Sequence, residues 1–196
     1  MKIMTGSLFL ALIFFFGRTG YGDDIKIAVV DMDKTFQAYY KTKLADANLK
    51  KQAEVFKAYA EKLNESRIKL QEEFKELRDS SQNIAYTEAE RENKRLAAQE
   101  KYRQFKTKET EYQQYNQEKQ KQLREEFEKK RKEILEEIKS QVYKFSILEG
   151  YTIVLDASGK TLNDLPSLIY FKPSLDITQK VIKELNRSHE SQTVNE

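Results

Sequence analysis

Asp31 and Asp33 have the D-x-D spacing that can hold a divalent cation, and they stand where an apolar run gives way to helix-forming sequence. The same spacing suits a strand end followed by a helix N-cap, and that is the role expected here, with Asp33 as the cap. Asp156, in Asp156-Ala157-Ser158-Gly159, reads as a turn residue. The one histidine, His189, falls in a polar C-terminal stretch, and cysteine is absent. No Cys-His or Ser-His-acid arrangement can be assembled from that inventory, and thiolate zinc sites are ruled out. No P-loop and no Gly-x-Gly-x-x-Gly occurs. The residues therefore point away from an enzyme, and no metal or cofactor is expected.

Two other groupings could bind something. Arg91, Lys94 and Arg95, with Lys101 and Arg103 further along, could meet a phosphate-bearing lipid or an acidic partner. Glu90, Glu92 and Glu100 are interleaved with them, so the same pattern also fits a solvated helix face. Aromatic residues form the second grouping: Tyr86, Tyr102, Phe105, Tyr112, Tyr115 and Phe127 lie in a stretch with few aliphatics. Some must pack against a neighbouring helix. Rings left over, together with Phe74 and Leu77, would give dispersed apolar contacts set among charges, suited to weak, many-point binding of unfolded chains.

The elements that carry these residues follow from what is missing. Between Gly22 and Gly150 there is no glycine or proline, so both reliable helix breakers are absent from a stretch dense in Lys, Glu, Gln, Ala and Leu. Leu49, Phe56, Leu63, Leu70 and Leu77 recur every seven residues, with Ala53, Ala60, Arg67 and Phe74 filling the alternate seam position. This is a narrow heptad seam with one charged interruption. Asp79-Ser80-Ser81-Gln82-Asn83 favours a turn, and Thr87 with Glu90 matches a capping box. The helix therefore reverses, giving an antiparallel hairpin over 33–149 with its tip near 80–87. The unequal arms imply a bend in the first, with Lys41 to Ala47 as the candidate.

Gly150 marks the end of the second arm. Ile25 to Val30, Tyr151 to Leu155 and Leu168 to Phe171 read as strands, and Asp176 to Asn186 as a closing helix. In the first strand, Ile25, Ile27 and Val29 share one face. The fold class is α+β, predominantly α: a long hairpin projecting from a small β-rich body (23–32 and 150–187, discontinuous), with a disordered tail over 188–196. A body that small is marginal alone. We therefore expect oligomerisation, with Ile25, Ile27, Val29, Ile153 and Leu155 building the assembly.

Residues 1–22 have the order of a secretory signal peptide: Lys2, an apolar run from Leu8 to Phe16, then small residues around Gly20 and Gly22. The run is roughly ten residues, against about 20 needed to span a bilayer. The formal net charge is +3, and loss of Lys2 and Arg18 leaves about +1. Acid and base are mixed along the helices, so a nucleic-acid partner is not expected.

With these elements placed, Ile27-Ala28-Val29-Val30-Asp31-Met32-Asp33-Lys34-Thr35-Phe36 resembles the opening of the Skp (OmpH) family of periplasmic chaperones. Tyr151-Thr152-Ile153-Val154-Leu155-Asp156-Ala157-Ser158 is similar to that family's strand after the hairpin, and Pro173-Ser174-Leu175-Asp176-Ile177-Thr178 to the entry of its closing helix. The order and spacing of these motifs cover nearly the whole mature chain. The resemblance implies a homotrimer joined through the body, whose hairpins project like tentacles around a cavity. It further implies a periplasmic holdase that keeps unfolded outer-membrane β-barrel proteins soluble without ATP. Some members of that family contact lipopolysaccharide, so a lipid or lipopolysaccharide contact is among the implied partners. The competing reading is a structural coiled-coil spacer of the cell envelope.

Overall fold

The computed structural model describes residues 25–193. The signal-peptide reading of residues 1–22 and the last three residues of the expected tail lie outside the described residues. The elements in chain order are β1 (Ile27–Val30), α1 (Met32–Ala38), α2 (Tyr40–Ser81), α3 (Glu88–Glu149), β2 (Ile153–Asp156), a short 3-10 turn (Pro173–Leu175) and α4 (Thr178–Thr193). The 42 residues of α2 and the 62 of α3 make arms about 60 and 90 Å long at 1.5 Å per residue.

The reversal between the arms is built locally. Gln82 ends α2, and Asn83 Oδ1 accepts from the Ala85 N–H at 2.9 Å. Thr87 then opens α3: its N–H donates to Glu90 Oε2 at 2.8 Å, and Glu90 N–H returns to Thr87 Oγ1 at 3.4 Å. At the far end Gly150 closes α3 at φ 69°. A Cβ there would meet nothing within 4 Å, so the need for glycine is the left-handed backbone itself.

The bend in the first arm lies at Tyr39, just before the Lys41–Ala47 stretch singled out from composition. Tyr39 is extended (φ −70°, ψ 131°) and separates α1 from α2. Two tertiary contacts explain the position. Tyr39 is buried in the body core, and the Asn186 side chain fills the gap in the helical ladder. Its Oδ1 accepts from Tyr40 N–H at 3.0 Å, and its Nδ2 donates to Ala38 C=O at 3.2 Å.

The body holds a two-stranded parallel sheet with Ile27 opposite Ile153 and Val29 opposite Leu155. Parallel neighbours need a crossover, and here the whole hairpin serves as one. Ala28 and Val30 face the core, where they pack with Tyr39, Ile134, Ile138, Ile177, Val181 and Leu185. The core thus joins one strand, the root of both arms and α4.

Several local expectations are corrected. The cap of α1 is Asp31, whose side chain accepts from Lys34 N–H at 2.9 Å; Asp33 lies in the first turn. Burial raises the Asp31 carboxyl, but the Lys34 N–H and ammonium outweigh it and hold the group below its ordinary range. Leu168–Phe171 forms no strand. Its composition suits a sheet, but among the described residues no neighbouring strand pairs with it. Helix α4 runs to Thr193, past the expected end at Asn186 and into the stretch read as a disordered tail. His189 is accordingly not a tail residue; its ring stacks on Tyr40 at 4.4 Å.

Candidate functional site

The heptad seam of α2 lies against α3. Leu63 is buried, and Leu49, Ala53, Phe56, Ala60, Arg67, Leu70, Phe74 and Leu77 are half-buried. The seam is polar in its middle. Arg67 donates through Nε and Nη2 to Asn64 Oδ1 at 3.1 and 2.9 Å and lies 5.9 Å from the Tyr112 ring centre. Among the described residues two ion pairs cross between the arms: Lys41–Glu137 at the root (2.5 Å) and Lys101–Glu73 toward the tip (2.6 Å). The Lys101 bond holds the Glu73 carboxyl below its ordinary range. The arms are therefore tied by charge near both ends and joined between them by the buried Leu63 and by ring contacts.

The aromatic residues divide into two sets. Phe105 is 9% exposed while Tyr102, three residues earlier, is 45% exposed. Phe105 belongs to the seam, and Tyr102 lies at its margin, with its ring 5.1 Å from Phe74. Tyr112 and Tyr115 are half-buried, and Tyr115 packs on Phe56 and Tyr59. Tyr86, in the tip loop, is exposed beneath Lys94 Nζ, 4.5 Å from its ring centre. Phe127 is exposed, and Leu77 is half-buried near the end of α2.

The basic tip is less cationic than its sequence suggests. Arg95 bonds Glu92 through two nitrogens, and Lys94 sits over Tyr86. Arg91 is half-buried and shares a shallow depression with Glu88 and Glu92.

In the body, the strand register places Ile27, Val29, Ile153 and Leu155 on one face of the sheet. Val29 is buried at the point where Asp176 runs alongside β1 and Ile177 N–H donates to Val29 C=O at 2.9 Å. Ile27, Ile153 and Leu155 remain exposed, as does Ile25. Asp156, on the same strand, braces α1 and its own turn: its Oδ1 accepts from Met32 N–H at 3.2 Å and Ser158 N–H at 2.8 Å.

Other exposed apolar residues went unrecognised in the sequence. On the arms these include Leu44, Val55, Tyr59, Ile68 and Leu96, with Tyr143, Ile147 and Leu148 at the root end of α3; in the body, Leu162, Ile169 and Tyr170. Val55 and Tyr59 stand four apart, one turn of helix, on a line outside the heptad seam, a signal that a second-stripe search would have found. Together the arms offer apolar groups set among ion pairs, and the sheet offers an open apolar face.

Comparison with known proteins agrees with this architecture. The family model described as outer membrane protein (OmpH-like) matches residues 26–185. A crystal structure of an OmpH-like protein of Caulobacter crescentus CB15, described as a candidate outer membrane chaperone, aligns with a TM-score of 0.62 at 17% identity, covering 95% of this chain and 92% of that one. No curated protein matches the chain closely enough to count as a relative.

Proposed function

The chain belongs to the OmpH-like family of outer membrane proteins, and from that premise we propose that it is an ATP-independent holdase chaperone. It acts in the periplasm on unfolded outer-membrane β-barrel proteins. Three copies join through the open sheet face, and the hairpins enclose a cavity in which the client is kept from other chains. The observation that carries this reading is the exposure of apolar side chains along the arms, Val55, Tyr59, Tyr102 and Phe127 among them, on helices otherwise covered by ion pairs. An unfolded barrel strand is apolar on alternate residues and aggregates by edge pairing. Weak contacts at many points hold such a chain and still release it without an energy source.

The apolar sheet face supports the assembly. A surface with Ile25, Ile27, Ile153 and Leu155 exposed together is larger than scattered surface apolar residues explain, and a second copy would cover it. The reversal at Gln82–Thr87 disfavours a continuous spacer rod.

The test dilutes a urea-unfolded outer-membrane barrel protein into buffer with the purified mature chain, following turbidity and complex mass. Suppressed turbidity with one client per three chains is expected. Undiminished aggregation overturns the holdase reading. Removing about residues 60–110 should leave an oligomeric body without holding activity, and retained activity would move the client site to the body.

A further inference from the structure

Toward the tip, the two arms leave a groove of about 530 Å³ between them, floored by Phe74, Ala98 and Tyr102. Ala98 is buried between the residues of the two arms that line the groove. Phe74 and Tyr102 present tilted rings whose centres are 5.1 Å apart. Arg78, Arg95 and Arg103 line the same groove, the Arg78 guanidinium lying 5.8 Å from the Phe74 ring centre, and no aspartate or glutamate does.

Each of these arginines has a carboxylate neighbour on its own helix: Asp79, Glu92 and Glu100 respectively. These pairs are solvent-exposed. Exposed pairs contribute little and exchange readily, and each guanidinium carries five donors. The groove therefore offers charged donors beside an aromatic floor, and its own lining adds only the neutral side chains of Ser81 and Gln99 as further polar groups.

We propose that this groove takes a segment of unfolded chain in which an aromatic side chain stands beside a carboxylate. The ring lies against Phe74 and Tyr102, and the carboxylate accepts from Arg95 or from Arg103, which stand about 12 Å apart along α3. This deepens the holdase reading and rests on it. A peptide is favoured over a lipid by length: the lining on α2 runs from Phe74 to Ser81, about 10 Å of helix, room for a side chain and its neighbours but short for an extended acyl chain.

The test uses the full mature chain and a fluorescein-labelled octapeptide with Phe-Asp flanked by Gly and Ser, beside Phe-Asn and Ala-Asp versions, read by fluorescence anisotropy. The Phe-Asp peptide should bind about tenfold more tightly than either control, the margin of a charged hydrogen bond or a stacked ring. Arg95→Gln with Arg103→Gln should erase the preference for Asp, and Tyr102→Ala the preference for Phe. Tyr102 is exposed, so its truncation should leave the helical circular dichroism unchanged. Equal binding of the three peptides, or a preference untouched by the variants, overturns the proposal. So does arginine-dependent binding to phosphatidylglycerol vesicles without peptide discrimination, which would assign the groove to lipid. Turbidity of an unfolded barrel protein in the same preparations separates the two readings. Suppression without peptide discrimination removes the groove alone, whereas discrimination without suppression removes the holdase and leaves a peptide site.

Discussion

The Tyr39 hydroxyl donates to Glu137 Oε1 at 2.8 Å, tying the break in the first arm to the root of the second. Lys41 Nζ reaches the same oxygen at 2.5 Å. Burial, and then the bond to Glu137, push the Tyr39 phenol up to about 12. Burial also raises Glu137, but its bonds to Lys41 and Tyr39 outweigh that and hold it below the ordinary range.

The sign of the pH dependence follows. A phenol whose folded value is raised from 10.0 to about 12 stabilises the fold fully below pH 10, and that contribution is lost as the pH rises toward 12. Tyr39→Phe should cost about 1 kcal/mol at neutral pH and should flatten the alkaline loss. Urea melts of both proteins at about pH 9 and about pH 11 check this; parallel losses in the two would remove Tyr39 from the effect.

Asn186 pairs two backbone groups left open at the break, the Tyr40 N–H and the Ala38 C=O. Asn186→Ala should destabilise the body by about 1–3 kcal/mol, because it leaves partly buried backbone groups unpaired. A calorimetric melt reads the loss. Unchanged stability would mean that water replaces the side chain at no cost.

The Glu73–Lys101 pair ties the arms toward the tip. Its carboxyl is held low, so its contribution is present above the ordinary carboxylate range and lost as pH falls from there through its lowered folded value. Glu73→Gln should speed amide exchange in α3 around Lys101 while leaving the Ile134–Ile138 region protected. Exchange that rises equally along the whole of α3 would show that the pair has no local role.

Ile27→Asp with Leu155→Asp places two charges on the open sheet face. If the proposed trimer forms through this face, sedimentation should show it falling to monomers with helical content retained. An unchanged mass would take this face out of the assembly.

What the sequence made legible was local. Thr87 with Glu90, Gly150 and the α2 heptads each announce themselves within a few residues, and each appears in the structure where the sequence puts it. The break at Tyr39 was displaced because no breaker residue marks it; a core position and a side chain from α4 create it. The sequence puts the cap at Asp33 and the structure at Asp31, a two-residue difference within the play of a helix start. Leu168–Phe171 has strand composition, but a strand also needs a neighbour, which composition does not report. The separation of Tyr102 from Phe105 was illegible because the apolar residues of this part of α3 keep no heptad; only the position of the opposing arm decides which ring is covered.

The parallel pairing of β1 with β2 also sets an order of events in time. Lys26 and Thr152 touch across 126 positions of chain, so the sheet cannot close until nearly the whole hairpin has been delivered. The arms, by contrast, can zip from the Gln82–Thr87 turn outward through near neighbours, the faster kind of contact to make. A chain emerging amino end first would therefore raise its tentacle before it owned a body, and Ile27 would wait, unpaired, for Ile153 to arrive.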